Sequence, residues 1–418
     1  MRILYLLTRS PFGQASGRKA VQRTVLRSLK SLGHDVELCI FDESRDAPEA
    51  LAGDCHWLGR PGPLKAGWNA LIAAIGGACS INEALYRCPA RRAQVQRLAA
   101  DGGFDLVIAD MIRLAPYAAA TGLPWVLDLD DLLSERYAGY AADGGSRESL
   151  LGYYGRGLPG PLRRLAGWMA GAVLQREQRL LTQREVHWAR EANAVTLVSA
   201  AEAERLAARI DRDVYAMPMA VDIPAPVVAG GATRADRAVF VGGLDYQPNL
   251  DALRFYASEV HPALKRQGTD VVLDVVGNAD PAQQRELSGA SVEFLGYVDD
   301  IMATLTRYRV FVAPLVSGTG IKTKVLEAMA AGLGVITTPS GVIGLDVRHG
   351  EHCFIARTPR EMATQIAEAV ARPEIAQDIG ERARHYVDRH FSHAVLESRW
   401  RALLAGLEGD GVPRDHAA

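Results

Sequence analysis

The chain has 418 residues, enough for two to three domains of ordinary size. Its 48% hydrophobic and 23% charged residues are typical of a globular protein. The net charge of −2 and the lack of a long basic run argue against nucleic-acid binding. Residues 1–200 hold 24 Lys and Arg against 20 Asp and Glu, so this half is mildly basic. It presents either ordinary solvated surface or a face for anionic lipid or an acidic glycan.

The predicted elements begin with a strand at Arg2–Leu7, a glycine-containing loop, a helix with apolar residues three or four apart, and a strand at Val36–Phe41. Strand, loop, helix and strand in this order make a parallel βαβ unit. The pattern continues with strands at Leu106–Ala109, Trp125–Leu129 and Ala194–Ser199, and with a long helix at Pro161–Asn193.

Periodicity breaks over residues 211–237, which predicts a linker. A second alternation of strands and helices follows, including helices at Asn249–Arg266 and Ile321–Ala331. The sequence therefore predicts an α/β protein with two doubly wound sheets facing a central cleft, where ligands of such folds bind. The predicted parts are an N-terminal domain at 1–210, the linker at 211–237, a C-terminal domain at 238–385, a helix packing back on the N-terminal domain at 386–407, and a disordered tail at 408–418.

The five cysteines are scattered and form no C-x-x-C pair. We expect reduced thiols in a cytoplasmic protein, and neither a disulfide framework nor a zinc site. We also expect no signal peptide, because the apolar run at residues 3–7 is too short. No segment reaches about 18 clean apolar residues, so no spanning helix is expected. The closest stretch, residues 66–81, either lies on a membrane surface or forms a buried helix.

The segment from Val312 to Gly332 carries the strongest chemical pattern. A strand ends, Gly318 and Gly320 bracket one residue, and a helix is predicted to open at about Ile321. Such a loop directs free backbone N–H groups and the positive end of a helix dipole at an anion. Lys322 is expected in the first helical turn, where a cation is unfavourable unless an anionic ligand shares the site. The alternative is a solvated helix face on which Lys324 and Glu327 form a weak pair.

This segment resembles the donor-binding signature of glycosyltransferase family four, a large group of retaining enzymes of the two-Rossmann-domain GT-B fold. Three further stretches resemble the family in order and spacing: Phe240 to Asn249, Phe294 to Asp300, and Met1 to Gly33. The resemblance covers nearly all of residues 230–400 and is looser over 1–200.

The resemblance implies a role for each matching residue. Glu327 would hold the ribose of a donor nucleotide, and Lys322 would neutralise the diphosphate together with the loop amides. Lys322 is therefore a predicted catalytic residue, as is Thr319 in the loop. The predicted donor-binding residues are Gly13, Gly17, Gly242, Gly243, Gly277, Tyr297, Val298, Gly318, Gly320, Ile321, Lys324 and Glu327.

Two departures from the family pattern concern the donor site. The family often has two glutamates eight residues apart, but Thr319 stands eight residues before Glu327. Many members also carry an Arg and a Lys in and after the glycine turn, where this chain has Gly243 and Pro248. The positive charge must then come largely from Lys322, with Lys324 as a second source.

A strand predicted at Trp125–Leu129 runs into three carboxylates, Asp128, Asp130 and Asp131. In the family this strand commonly ends in a His near the acceptor, and Asp130 takes that place. Asp130 is therefore a predicted catalytic residue that receives a proton or orients the acceptor, with Asp128 and Asp131 at the acceptor. The alternatives are an aspartate cap on the following turn and the metal-binding D-x-D motif of the one-domain GT-A transferases.

The resemblance implies transfer of a sugar from a nucleotide-diphosphate sugar to a saccharide or lipid-linked saccharide acceptor, with retention and without a metal or other cofactor. The location expected is the cytoplasm, with peripheral contact to the inner leaflet left open and no nucleic-acid partner. Two alternatives remain: a non-catalytic subunit that binds a nucleotide sugar, and a nucleotide-sugar epimerase of the same fold.

Overall fold

The computed structural model describes residues 1–13, 17–43, 53–76, 79–142, 160–224, 237–289, 291–318 and 320–409. The chain forms two compact units, Met1–Met219 with Leu396–Ala418, and Ala220–Val395. Each unit is built on one sheet in which every pairing between neighbouring strands is parallel. The predicted α/β class with two parallel sheets is confirmed.

The first unit has a seven-stranded sheet in the order β3-β2-β1-β4-β5-β6-β7. Its central strands are apolar and buried, as expected for strands covered by helices on both faces. The strands are β1 Arg2–Leu7, β2 Asp35–Ile40, β3 Cys55–Trp57, β4 Leu106–Asp110, β5 Trp125–Asp128, β6 Ala194–Leu197 and β7 Tyr215–Ala216. The helices are α1 Gly17–Ser31, α2 Pro63–Ile75, α3 Ile81–Tyr86, α4 Pro89–Asp101, α5 Ala115–Ala118, α6 Leu133–Ala142, α7 Gly160–Glu191 and α8 Ala200–Ile210.

The second unit has a six-stranded sheet in the order β10-β9-β8-β11-β12-β13. Its strands are β8 Arg237–Val241, β9 Val272–Val276, β10 Val292–Gly296, β11 Val310–Ala313, β12 Gly334–Thr337 and β13 Phe354–Ile355. Its helices are α9 Gln247–Phe255, α10 His261–Arg266, α11 Pro281–Leu287, α12 Ile301–Leu305, α13 Thr323–Ala330, α14 Pro359–Ala371 and α15 Pro373–Phe391; α16 His393–Gly409 follows. In both sheets the strand order reverses beside the first strand, so loops from neighbouring strands meet at the carboxyl edge.

Three short strands were not predicted. β3, β7 and β13 have two or three residues each, too few for an alternating pattern to be recognised. β7 lies inside the segment predicted as a linker and pairs with β6, so the first sheet continues into that segment.

The helix predicted at Asn249–Arg266 is interrupted. α9 and α10 are separated by a π-helical turn at Tyr256–Val260. Pro262 provides the physical reason, because it has no N–H and its ring clashes with the carbonyl four residues earlier.

The C-terminal region from about residue 374 to 407 is predicted to form two helices, and it does so. The boundary between them differs from the predicted start at 386, because α15 ends at Phe391 and α16 begins at His393. From Leu396 onward the chain belongs to the first unit, where the Arg399 guanidinium donates to the Ala216 carbonyl at 2.6 Å. Most of the predicted disordered tail, residues 410–418, lies outside the described residues.

Residues 66–75 of the apolar stretch at 66–81 lie in α2, which has Pro63 in its first turn. Ala73 is the only buried residue of this helix. The expectation of a buried helix is therefore wrong. In the part of the chain that the structure describes, no helix combines the length and the hydropathy needed to cross a bilayer.

Candidate functional site

Three glycines bring together the loops that follow β8, β9 and β10. The N–H of Gly242 donates to the Val276 carbonyl at 2.8 Å, and the N–H of Gly277 donates to the Gly296 carbonyl at 2.8 Å. A Cβ added to Gly277 would lie 2.5 Å from the carbonyl atoms of Gly242, so a side chain there would force the loops apart. Gly242 and Gly277, which were predicted, and Gly296, which was not, thus make a tightly joined carboxyl edge of the second sheet.

Lys324 lies beneath the glycine turn that follows β8. Its ammonium group donates to Asn249 Oδ1 at 2.5 Å and lies 4.4 Å from the centre of the Phe240 ring. The Asn249 amide in turn donates to the Gly243 carbonyl at 2.7 Å. Lys324 therefore supports the turn at Gly242 and Gly243, where an added Cβ on Gly242 would lie 2.6 Å from Lys324 Nζ.

Lys322 does not lie in the first helical turn, as the sequence suggested. α13 begins at Thr323, and Lys322 is the residue that precedes it. Its ammonium group folds back to donate to the Gly320 carbonyl at 2.7 Å. Gly318 and Gly320 have φ values of 115° and 68°, which glycine adopts without strain. The loop thus holds a cation over its own backbone, and burial lowers the pKa of Lys322 to about 8.

Two further loop residues were predicted at this point. Ile321 packs against Gly344, where an added Cβ would lie 2.8 Å from Ile321 Cγ1. Thr319, predicted as catalytic, lies outside the described residues.

Glu327 lies on the same helix as Lys324 but does not form the weak pair that the sequence allowed. Lys324 is engaged by Asn249 instead. Burial raises the pKa of Glu327 to about 7, against the opposing effect of Lys324. Burial also lowers the pKa of Lys324 to about 7. Among the residues described, the side chain of Glu327 accepts no hydrogen bond and forms no ion pair, which leaves its carboxylate for a ligand hydroxyl.

Tyr297 and Val298 follow β10 at the same edge of the second sheet. Tyr297 is 57% exposed, and Val298 is half-buried. Asp300 fixes the next turn by accepting the Ala303 N–H at 2.8 Å. An exposed aromatic ring on a fixed turn is a suitable surface for a planar base to stack on.

In the first unit, the predicted glycines differ in what holds them. Gly13 has a φ of 77°, and its carbonyl accepts from Arg23, which also donates to the Pro11 carbonyl at 2.5 Å. Gly17 is the first residue of α1, and a Cβ there would meet no described atom within 4 Å. Packing within the described structure therefore does not require glycine at position 17.

Asp128 belongs to a cluster of buried charged groups at the carboxyl edge of the first sheet. Asp110 and Asp128 lie side by side at the ends of β4 and β5. Arg18 from α1 donates to Asp110 at 2.7 Å and to Asp128 at 2.8 Å, and lies 3.0 Å from Asp130. Burial raises the pKa of Asp128, partly offset by Arg18 and reinforced by Asp110.

Asp130 has a φ of 69°, a left-handed conformation that is uncommon for a residue with a side chain. Burial raises its pKa as well, against the effect of Arg18. Both carboxylates of the D-x-D pattern thus contact a guanidinium, which fills the place a divalent ion would need between them.

The predicted cap on the turn after Asp130 comes from another residue. Asp131 accepts from the Arg136 guanidinium at 2.6 Å. The Ser134 N–H at the start of α6 donates to Glu185 at 3.0 Å. Asp131 therefore braces the start of α6 through Arg136, and Glu185 supplies the cap.

Sequence reasoning missed Arg18, Asp110 and Asn249. Asp110 had a usable signal, because it ends a strand next to the strand that Asp128 ends, and parallel neighbours finish at one edge. Arg18 and Asn249 gave no signal of their own, since only the folded chain shows which carboxylate or lysine they contact.

Comparison with known proteins supports the assignment of the second unit. Residues 235–372 match the family model of glycosyl transferases group 1. A protein of Klebsiella pneumoniae, described as an uncharacterized 44.6 kDa protein in the cps region, is 31% identical over 127 residues, which are 28% of this chain and 33% of that protein. The phosphatidyl-myo-inositol mannosyltransferase of Mycobacterium tuberculosis is 26% identical over 219 residues, 48% of this chain and 56% of that enzyme. The chain thus spans between a third and about half of these relatives.

Solved structures match almost the entire chain. HepE of Anabaena, in complex with UDP and glucose, superposes with a TM-score of 0.63 at 16% identity, covering 97% of this chain and all of HepE. Sucrose-phosphate synthase of Thermosynechococcus elongatus has a TM-score of 0.67 at 17% identity, covering 98% of this chain and 100% of that enzyme. At such identities the likeness shows the fold. Residues 235–372 are therefore similar to the glycosyl transferases group 1 model, and the chain has a GT-B fold with two Rossmann-like domains.

Proposed function

We propose that the chain is a glycosyltransferase that moves a sugar from a nucleotide-diphosphate sugar to an acceptor hydroxyl, with retention and without a metal. The observation that carries this proposal is the largely buried carboxylate of Glu327, which has no partner among the described residues, on the helix that follows Lys322 and beside a joined set of glycine turns. Such an edge offers an acceptor for ribose hydroxyls, cations for a diphosphate and backbone that a ligand can approach closely. The group 1 match supports it.

Different residues of this edge bind different parts of the donor. Glu327 accepts hydrogen bonds from the ribose hydroxyls, and Tyr297 with Val298 flanks the base. Gly242 and Gly243 let the diphosphate approach the main chain. UDP and UDP-glucose are ligands of HepE and are therefore the first donors to test.

Leaving-group stabilisation supplies the catalysis. As the bond between the sugar and the diphosphate breaks, negative charge develops on the phosphate oxygen. Lys322 and the amides of its loop are fixed before the reaction and stabilise that charge. The acceptor hydroxyl attacks from the face that the diphosphate leaves, and its proton passes to the departing phosphate oxygen. Retention follows from that geometry.

On the acceptor side, we assign Asp130 the role of orienting the incoming hydroxyl. Its strained backbone and its exposure relative to Asp110 and Asp128 favour it over the other two carboxylates. The acceptor we propose is a saccharide on a lipid or polysaccharide. The scattered free cysteines favour a cytoplasmic location, with peripheral contact to the membrane.

A panel of nucleotide-diphosphate sugars tests this function. One or more should raise the melting temperature, and the same donor should yield a new glycosidic bond of unchanged anomeric configuration, read by proton NMR. Binding without transfer to any saccharide acceptor would favour the non-catalytic alternative. Conversion of the donor with no acceptor present would favour an epimerase.

A further inference from the structure

The exposed face of α2 is apolar in a way that water-exposed helices seldom are. Leu64, Trp68, Leu71, Ile72 and Ile75, here called the apolar stripe, are between 50% and 91% exposed. They recur at the three- and four-residue spacing of one helix face, which normally points into a core. A run of large apolar side chains on the surface marks an interaction site.

A cavity of about 660 Å³ opens beside α2, within the size range of small-molecule sites, about 300–1,000 Å³. Its wall includes the side of α2 at Lys65, Asn69 and Ile72 and also parts of α3 and α4. Five cations line it, Lys65, Arg87, Arg92, Arg113 and Arg184, and we call it the basic pocket.

The charge of the basic pocket is not balanced by its own residues. Its carboxylate, Glu83, is occupied by Arg184 at 2.9 Å and by the Trp188 indole N–H at 2.7 Å. Arg113 donates to the neutral amide oxygen of Asn82 at 2.7 Å. Lys65 has the Cys88 sulfur at 3.5 Å as its contact.

Arg87 and Arg92 form no ion pair with any described residue, and residues 55–82 contain no Asp or Glu. One arginine guanidinium can donate two parallel hydrogen bonds to two oxygens of a phosphate group. Several arginines without a carboxylate partner around one cavity therefore fit a phosphate ligand.

We propose that the basic pocket binds the phosphate of an anionic lipid while the apolar stripe enters the surface of the bilayer that holds it. The two features adjoin on α2, and together they match the two ends of such a lipid: an anionic head and an acyl tail. A tryptophan beside cations is typical of helices that lie in the membrane interface. This inference goes further than sugar transfer, to which it adds a route for a lipid-linked acceptor, and it does not depend on the donor site.

Vesicle sedimentation tests the inference with the full chain and no donor. The protein should bind vesicles of phosphatidylcholine with phosphatidylglycerol more tightly than phosphatidylcholine alone, and added salt should weaken the binding. Arg92→Glu should reduce binding roughly tenfold or more, since the change removes one positive charge and adds one negative charge near an anionic surface. Trp68→Glu should reduce it as much by placing a charge in the apolar stripe.

Arg97→Glu is the matched control, because Arg97 lies on the same helix as Arg92, is exposed and does not line the cavity. It should keep most of the binding. Equal losses of vesicle binding in the Arg92 and Arg97 variants would show that only the net charge of the protein matters. The basic pocket would then not be the lipid site. Binding of inorganic phosphate without vesicle binding would contradict the proposal that the ligand of the basic pocket is a lipid. Vesicle binding with no sugar transfer would leave this inference standing and remove only the proposed function.

Discussion

At the scale of single residues, burial shifts three ionisable groups of the donor site toward neutrality. The pKa of Lys322 falls to about 8, that of Lys324 falls to about 7, and that of Glu327 rises to about 7. A free site of this kind has little net charge near pH 8. A bound diphosphate stabilises the charged ammonium groups, so binding should draw protons from solution.

The affinity for a nucleoside diphosphate should therefore fall as the pH rises from 7 to 9. Above the pKa of the lysine in the free protein, each proton taken up on binding should lower the affinity for the nucleoside diphosphate about tenfold per pH unit. Calorimetry at pH 8 in buffers of different ionisation enthalpy measures this uptake. Lys322→Ala should remove part of it, and Lys265→Ala, a change at a half-exposed lysine of the same unit, should not. Proton release on binding would contradict the proposal that Lys322 and Lys324 bind the diphosphate as charged ammonium groups.

Glu327 should contribute to nucleotide binding through the ribose. Glu327→Ala should weaken the binding of the nucleoside diphosphate by about 1.5–3 kcal/mol, because a hydrogen-bonded charged group is lost from a largely buried position. Glu374→Ala removes an exposed carboxylate of the same unit and should leave affinity unchanged. Unchanged nucleotide affinity by calorimetry in the Glu327 variant would take this residue out of the donor site.

Asp130 is proposed to act on the acceptor and not on donor binding. Asp130→Asn should leave donor affinity nearly intact and lower transfer to the acceptor, since Asn keeps the side-chain size and tolerates the left-handed backbone. Folding should be preserved, because Arg18 keeps Asp110 and Asp128 as partners. Parallel melting curves and transfer assays check this. Normal transfer at an unchanged melting temperature would restrict Asp130 to balancing Arg18.

At the scale of elements, the glycine contacts between loops position the proposed donor site. Neighbouring parallel strands end at one edge, and Gly242, Gly277 and Gly296 then hydrogen-bond their loops to one another. The distance between these loops is set by backbone contact, which leaves no room for a Cβ at Gly277.

Gly277→Ala should destabilise the protein by on the order of 1–3 kcal/mol, as overpacking does, and should also weaken donor binding. The new Cβ would meet the Gly242 backbone at 2.5 Å, and backbone cannot move aside as a side chain can. Gly289→Ala is the matched control, because a Cβ there has no described neighbour within 4 Å. Chemical denaturation and calorimetry of both variants test it. Equal behaviour would show that the loops tolerate separation.

At the scale of the whole molecule, protein cations take the place of a metal in the proposed reaction. Lys322 and Lys324 are the cations proposed to face the donor in the second unit, and Arg18 fills the space between the carboxylates of the first. Sugar transfer should therefore continue in excess EDTA at an unchanged rate. Loss of activity on chelation, restored by Mn²⁺, would contradict this and return the aspartates to a metal site. Transfer rates with and without chelator decide it.

The sequence determined the fold class and the positions of most of the turns at the proposed donor site. The buried apolar strands and the glycine turns after them carry a local pattern, so the two sheets and Gly242, Gly277, Gly318 and Gly320 could be predicted. Very short strands such as β7 have too little local signal. The interruption of the helix near Pro262 did have a local signal, the proline itself, which the helical periodicity around it outweighed. The start of α13 was misplaced by two residues, because the glycine loop and the helix share a continuous sequence pattern.

Contacts between distant residues were decided only by the tertiary structure. Lys324 meets Asn249 across 75 positions, and Arg18 meets Asp110 across 92. The exposure of α2 was also decided only by the tertiary structure. Its apolar spacing suits a buried helix equally well, but no described residues cover the apolar stripe. Periodicity depends on neighbours in sequence, whereas burial and charge pairing depend on neighbours in space.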